Sequence, residues 1–344
     1  MEKDVMANNE QRHVLVTGGA GYIGANITRI LLDQGHRVRI LDNQIYGSQG
    51  IAKLRANDNL EVVVGDIRDP CVMARVVQGI DDIAHMASLV GQPACNLDPD
   101  ETYEVNTEGT RIVTAAAKAA GVKRLLLAST CSVYGHQEGE MAEDSPPCTA
   151  NDPYAESKRQ AEEIVLEASD RLSVRIVRLG TVYGQAPRMR FDLVVNLLSG
   201  LAVRKGEFKV IGGDAWRPFV HVWDVARAVV TVLQASDEKA DGQIFNVGDS
   251  RDNRTINQIA ELILREVPST TVKRDKENSD GRNYFVSFEK IVDRLGFKHS
   301  IEVCRGVRDV IDYLERRPEV DPLAPIFSNV GWLESRQAYL AQDE

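Results

Sequence analysis

The stretch HVLVTGGAGYIGANITRILLDQ, His13 to Gln34, carries the reading on which the fold turns. It opens with HVLVT (13–17), an apolar, β-branched run of strand length. It closes with an amphipathic stretch from Ile23 to Gln34 that has helical periodicity. Between the two stand Gly18, Gly21 and Gly24. A tight turn needs one residue without a Cβ, close approach of backbone to phosphate needs another, and close helix–strand packing needs a third. The helix after the loop presents unpaired N–H groups and partial positive charge at its start. A strand, a glycine loop holding Tyr22 and Ile23, and a helix together predict a dinucleotide site.

Reading outward, the pattern repeats. RVRIL (37–41), LEVVV (60–64), DIAHM (82–86), RLLLAS (124–129) and VRIVRL (174–179) read as strands. Thr102–Ala120, ended by Gly121, and Pro153–Ala168 read as helices. Alternating strands and helices with nearly all-apolar strands predict an α/β fold, a doubly wound parallel Rossmann sheet covered on both faces. Beyond about residue 180 the rhythm is irregular. Helices are expected at Phe191–Val203, Val222–Gln234, Ile256–Val267 and Val303–Arg316, and strands at Phe208–Ile211 and IFNV (244–247). The expected organisation is a flexible leader (1–12), a dinucleotide-binding domain (13–180), a smaller C-terminal substrate-binding region sharing the core (181–316), and a tail (317–344) draped over the surface.

Asp42 ends the second strand, 18 positions after Gly24. A carboxylate there accepts from ribose hydroxyls and repels a 2′-phosphate, which favours NAD over NADP; Asn43 stands beside it. Asp66 and Ile67, after the third strand, are placed to meet the adenine edge, although Asp66 alone also reads as a helix cap.

Bulk properties narrow the function. The 344 residues are 43% apolar and 27% charged, which suits a globular enzyme, and the net charge of −10 argues against nucleic-acid binding. No apolar run approaches a membrane span of about 18 residues, and MEKDVMANNEQR is not a signal core. Five cysteines, Cys71, Cys95, Cys131, Cys148 and Cys304, have neither metal-site nor disulfide spacing. No metal is expected, and a reducing, cytoplasmic setting is.

Chemistry gathers at ASTCSVYG (128–135) and DPYAESK (152–158). Tyr154 and Lys158 are four apart and share one helical face. A phenol is a poor base at neutral pH, but a neighbouring ammonium stabilises its anion and makes it a general base for a hydroxyl. Thr130, at the preceding strand end, is placed to bond the same oxygen.

These pieces, with GDIRD, HMAS, VNTEGT and WRPFVHVWDVARA, resemble the extended short-chain dehydrogenase/reductase family in its NAD-dependent epimerase/dehydratase branch, over roughly residues 13 to 315. The resemblance implies an NAD site formed by Gly18, Gly21, Gly24, Asp42, Asp66 and Lys158, with His85, Met86, Ala87 and Ser88 passing along the cofactor. It implies that Asn106 steadies the active-site strand as part of that set. Thr130 and Tyr154 are expected to handle the proton at the oxidised hydroxyl. A nucleoside-diphosphate sugar is the expected partner, with Arg217, Arg282 and the pair Arg188/Arg190 as pyrophosphate contacts. Thr181 stands where many relatives carry a substrate-binding asparagine.

The same resemblance frames the reaction. NAD first oxidises a sugar carbon, and the later steps depend on further acids and bases. Dehydratase relatives place Asp-Glu after the threonine, and decarboxylating relatives carry Glu at the second of those positions. Here Cys131 and Ser132 stand there. A 4-epimerase needs no further acid or base and is the expected activity. The alternative is a dehydratase or 3,5-epimerase using Cys131, whose bland reading is a small buried residue. A non-catalytic NAD-binding regulator is a third class, disfavoured by the intact Thr130, Tyr154 and Lys158. Relatives dimerise through two helices, which here are those at 102–120 and 153–168, so a homodimer is expected.

Overall fold

Seven parallel strands run through the centre of the molecule. The computed structural model describes residues 11–147, 152–275 and 283–340. The first five strands are β1 (His13–Thr17), β2 (Arg37–Asp42), β3 (Leu60–Val64), β4 (Asp82–His85) and β5 (Arg124–Thr130). The sheet continues with Ser173–Leu179 and, at its edge, Gln243–Val247. The spatial order is Gln243–Val247, Ser173–Leu179, β5, β4, β1, β2, β3. The chain winds one way from β1 to β3 and the other way from β4 onward, so the switch falls between β1 and β4. In open parallel sheets ligands bind outside the carboxyl ends at that point. Register aligns those ends: Thr17 lies beside Leu41 on one side and His85 on the other.

Alternation along the strands fills two cores. Val14, Val16 and Ile40 pack with helix α1 (Gly24–Asp33) and the helix Val222–Gln234. Leu15, Leu41 and Ile83 point the other way, against α2 (Pro70–Val76), the helix Gly109–Ala120 and the helix Pro153–Leu166. Each such side chain, once buried, contributes about 1.5–3 kcal/mol. A smaller C-terminal core joins the helices Val194–Lys205, Ile256–Glu266 and Val303–Glu315 to the strands Glu207–Ile211 and Trp216–His221.

The expected single helix over 102–120 is interrupted. A helical turn, Pro99–Tyr103, leads into a π-helical turn, Glu104–Glu108, before the α-helix resumes at Gly109. π turns carry an extra residue and recur at functional sites. This one brings Asn106 inward. Its Oδ1 accepts from the backbone N–H of Leu89 (2.8 Å) and its Nδ2 donates to the Leu89 carbonyl (3.0 Å) and to Ser157 Oγ (3.0 Å). Gly109 is required next to it, because a Cβ there would come within 2.7 Å of the Ile67 side chain.

Two further differences have local causes. The helix expected from Phe191 begins at Val194. The Phe191 N–H is taken by the Phe327 carbonyl (2.8 Å), and Asp192 turns to pair with Arg190. The segment after Arg316 is anchored rather than draped. Arg204 donates to the carbonyls of Leu314, Arg317 and Val320, and the Phe327 ring stands edge-on to Phe191. It ends in a helix, Asn329–Leu340. Among the described residues no helix is long and apolar enough to cross a membrane.

Asn106→Ala would strand the Leu89 N–H and leave its carbonyl only the Ser88 hydroxyl (3.1 Å). Urea unfolding is expected to show a loss of about 3 kcal/mol; a loss below about 1 kcal/mol would mean that water replaces the amide.

Candidate active site

One cleft of about 900 Å³ opens at the carboxyl ends of β1, β2, β4 and β5. Gly18, Gly21, Tyr22, Ile23 and Gly24 form its floor. Gly18 has φ +69°, and a Cβ there would lie 2.8 Å from the backbone of Ala87. At Gly24 a Cβ would meet the Gly18 carbonyl at 2.2 Å. Helix α1 starts with no side-chain cap. The Ala25 and Asn26 N–H groups bond to the Gly21 and Ile23 carbonyls (3.2 and 3.0 Å), so this end offers an anion the partial positive charge of the helix and the loop that leads into it.

Asp42 holds the loop from β2. Its Oδ2 accepts from the Ala20 N–H (2.9 Å) and its Oδ1 from the Gln44 N–H (2.7 Å). Burial raises its pKa against these bonds. Each oxygen keeps a lone pair toward the cleft, which suits a ribose diol. Asn43 donates to Asp66 at 3.3 Å. Burial works against the Asp66 carboxylate, but Arg68 outweighs it and holds the group below its usual range. Ile67, Met86, Ala87 and Ser88 also line the cleft. The uncapped helix start, the glycine floor and the half-open Asp42 are a fit for a dinucleotide such as NAD.

Behind the floor lies His85. The Thr17 hydroxyl accepts from the N–H groups of Met86 and Ala87, both at 3.2 Å, so it donates to His85 Nδ1 (2.7 Å). The Thr110 hydroxyl donates to the Asn106 carbonyl (2.6 Å), so it accepts from His85 Nε2 (3.1 Å). The ring is thus neutral with its proton on Nε2. Burial, assisted by the Lys158 charge, lowers its pKa to about 3.

Tyr154 and Lys158 project from the helix Pro153–Leu166, whose start is capped by Asp152. Thr130 ends β5, and its Oγ1 accepts from the Ser132 N–H (3.1 Å) and is the hydrogen-bond partner of the Tyr154 phenol. Burial pushes the phenol's pKa up, and Thr130 opposes it. Lys158 is buried, with Nζ 3.4 Å from Ser88 Oγ. Burial lowers its pKa to about 8, and the Glu162 charge resists that fall. Thr130, Tyr154, Lys158 and Thr181 all face the cleft.

The model of the "NAD dependent epimerase/dehydratase family" matches residues 14–248. The chain belongs to the NAD-dependent epimerase/dehydratase family. A probable UDP-arabinose 4-epimerase of Oryza sativa subsp. japonica is 29% identical over 279 residues, 72% of this chain and 66% of that protein. The chain thus spans just under two thirds of that relative. The UDP-glucose 4-epimerase of Lacticaseibacillus casei is 27% identical over 89% of this chain and 98% of its own. Among solved structures, the dTDP-glucose 4,6-dehydratase DesIV of Streptomyces venezuelae, with NAD bound, superposes with a TM-score of 0.79 at 29% identity, covering 90% of this chain and 99% of its own.

Some expectations for this family member need correction. Cys131 does not face the cleft. It opens a 3₁₀ turn (Cys131–Tyr134) that directs it into a cluster with Tyr134, Met141 and Phe288, where its thiol lies 3.4 Å from the Arg178 carbonyl. Burial pushes its pKa up; Ser132 lines the cleft instead. Asn106 lies behind the cleft wall rather than on it. Arg217 is buried on the strand Trp216–His221, donating to the Trp216 carbonyl and lying over Tyr284, which itself lines the cleft. Arg282 lies outside the described residues. Arg188 and Arg190 both line the cleft. Sequence reading missed Tyr46, Ser129, Asn329 and Trp332, which also line it; Ser129 stands in the motif of Thr130, and the other three belong to no motif with a spacing rule.

His85 supplies a pH prediction. Its folded pKa lies far below the unfolded 6.5, so its share of stability is complete above about 6.5 and lost as pH falls toward 3. Unfolding titrations at pH 7 and 5 are expected to show an acid loss in wild type that His85→Asn reduces by about 2 kcal/mol. Equal acid losses in both proteins would refute the buried neutral ring.

Proposed function

We propose that this chain is an NAD-dependent nucleotide-sugar epimerase that inverts C4 through a transient 4-keto sugar. One observation carries the choice of reaction. Thr130, Tyr154 and Lys158 meet in the cleft, while the carboxylates that line it, Asp42, Asp66 and Glu101, belong to the cofactor half. Arg68 joins Asp66 to Glu101 there. Elimination or enolisation at C5 or C3 asks for a second acid or base beside Thr130, whereas C4 inversion does not. The two relatives named as 4-epimerases support the same reading.

In this reading the glycine floor and the start of α1 hold the pyrophosphate of NAD, and Asp42 and Asn43 hold its adenosine ribose. Bound there, NAD supplies the reversible removal of two electrons from the sugar's C4 carbinol. Tyr154 takes the proton from the C4 hydroxyl and later returns it. The Lys158 ammonium offsets the phenolate charge, which burial otherwise makes costly. Thr130 keeps the phenol oxygen and the sugar oxygen in one hydrogen-bonded line. Thr181, Arg190 and, behind Tyr284, Arg217 are assigned to the nucleotide sugar, with Arg282 in the same role.

A homodimer through the helices Gly109–Ala120 and Pro153–Leu166 and a cytoplasmic setting complete the proposal. The described cysteines are all free thiols, two of them exposed, which suits a reducing compartment. Light scattering is expected to report a dimer at micromolar concentration, and a monomer would remove that part.

The test of the reaction uses the purified chain with UDP-, dTDP-, GDP- and CDP-sugars in deuterated water. A C4-inverted product of unchanged mass, without deuterium on carbon, is expected. Loss of water, or deuterium at C5 or C3, would overturn the epimerase reading. Tyr154→Phe is expected to lower kcat by about 10²–10⁴-fold with the fold retained. Cys131→Ala is expected to stay within roughly threefold of wild type, as for a buried side chain that touches no reactant; a larger fall in kcat with unchanged stability would restore Cys131 to the mechanism.

A further inference from the structure

We infer that the segment from Phe327 to Ser335 is part of the dinucleotide site, with Asn329 and Trp332 closing bound NAD into the cleft. The inference rests on the NAD reading above. Three observations converge on it.

Asn329 is 1% exposed, although it sits near the end of the chain. Its Oδ1 accepts from Arg188 Nη2 (2.8 Å), and its backbone N–H donates to Asp192 Oδ2 (2.9 Å). Asp192 is also the bidentate partner of Arg190. One residue therefore ties the terminal segment to both cleft arginines.

The helix that Asn329 begins reaches across the cleft. Trp332 and Ser335 line the same space as Asp42 and the glycine floor. Farther on, the helix packs against the short helix Gln92–Cys95, which comes after β4. The helix is thus held at Arg188 and at the helix after β4, with Trp332 and Ser335 on the cleft wall between the two.

Arg188 points to the ligand beneath. Its guanidinium stacks on the Tyr46 ring, 4.5 Å from the centroid, in the loop after Asp42. Arg190 has Asp192, but no carboxylate pairs with Arg188 among the described residues. Its Nε has no hydrogen-bond partner and Asn329 occupies Nη2. A buried cation in that state is completed by an anionic oxygen. The sugar nucleotide carries phosphates too, but Tyr46 stands in the loop after Asp42, which puts Arg188 on the dinucleotide's side of the cleft. Arg188 is thereby assigned to the cofactor rather than to the sugar nucleotide.

The arrangement suits the chemistry. Electrons taken from C4 must return to the same sugar, so a cofactor that left between the two half-reactions would strand the keto intermediate. A wall that slows its release keeps one NAD through many turnovers.

The experiment loads the full-length protein with NAD, removes free cofactor and tracks NAD release against a competing excess of a fluorescent NADH analogue, with no sugar present. Asn329→Ala and Trp332→Ala are expected to release NAD at least about tenfold faster. Hydrogen exchange on wild type is expected to show slower exchange across 329–335 when NAD is bound, a readout that needs no variant to fold. Release within about twofold of wild type in both folded variants, or exchange across 329–335 that NAD leaves unchanged, overturns the inference. Failure of the wild-type chain to bind NAD would instead overturn the cofactor reading beneath it.

Discussion

Leu89 comes after β4 at a point where no strand lies beside it to take its N–H and C=O. Asn106 answers both with a single side-chain amide, as an adjacent strand would. An amide carries a donor and an acceptor in fixed geometry, and neither Asp nor Leu at this position can do the same. The same side chain accepts from Ser88 Oγ (2.7 Å) and donates to Ser157 Oγ. Ser88 faces Lys158, and Ser157 precedes Lys158 on its helix. The π turn that presents Asn106, the loop after β4 and the helix Pro153–Leu166 are thus fixed to one another by one residue. The placement of Lys158 relative to the cofactor floor depends on that knot.

Burying an ammonium costs free energy, and the surroundings of Lys158 limit that cost. Glu162 lies one turn along the same helix and is itself buried. It does not pair with Lys158 directly. Its carboxylate is held by Arg178 Nε and Nη2 and by the Ser129 hydroxyl. Arg178 then reaches Tyr134, whose hydroxyl donates to Asn246. A buried ion pair alone is weak evidence of stability. Here it is satisfied on every side, which fixes where the negative end lies. The negative charge of Glu162 resists the fall that burial imposes on the Lys158 pKa, while the carboxylate itself stays bound to Arg178 and Ser129.

The same physics decides how much was legible in the sequence. The glycine loop, Asp42, Thr130, Tyr154 and Lys158 stand in short motifs whose spacing is set by strand ends and helix turns, so their convergence could be read from letters. The parallel sheet was legible because its central strands, β1, β4 and β5, are almost wholly buried on both faces. Cys131 misled because a residue just past a strand end has no fixed facing. A 3₁₀ turn there turned position 131 inward and position 132 to the cleft, and nothing in TCS announces that turn. The π turn over Glu104–Glu108 left no trace either, since it changes hydrogen-bond register and not composition. Arg217 stands in a recognisable motif, but its guanidinium donates to the Trp216 carbonyl and lies over the Tyr284 ring, a matter of side-chain placement. The terminal helix was least legible: it is anchored by tertiary bonds to Arg188, Asp192 and Phe191, all far away in sequence.

The charge distribution resolves a tension that composition alone raises. A chain of net charge −10 is expected to repel ligands that carry several phosphates. Field at a site, however, is set by nearby groups in a low-dielectric cleft and not by the molecular total. Asp192 neutralises Arg190, and Arg68 offsets Asp66. What remains toward the cleft is Asp42 at the ribose end, with Arg188, Lys158 and the start of α1 as positive elements. Arg188 has its pKa lowered by burial to about 10 and still stays charged at neutral pH. Arg188 is near enough to Asp42 for each to act on the other's titration, so these two charges stand together at that end of the cleft, and Lys158 and the start of α1 carry the positive sign along the rest. Asp42 gives one lone pair of each oxygen to the Ala20 and Gln44 N–H groups, which leaves it an acceptor for a diol.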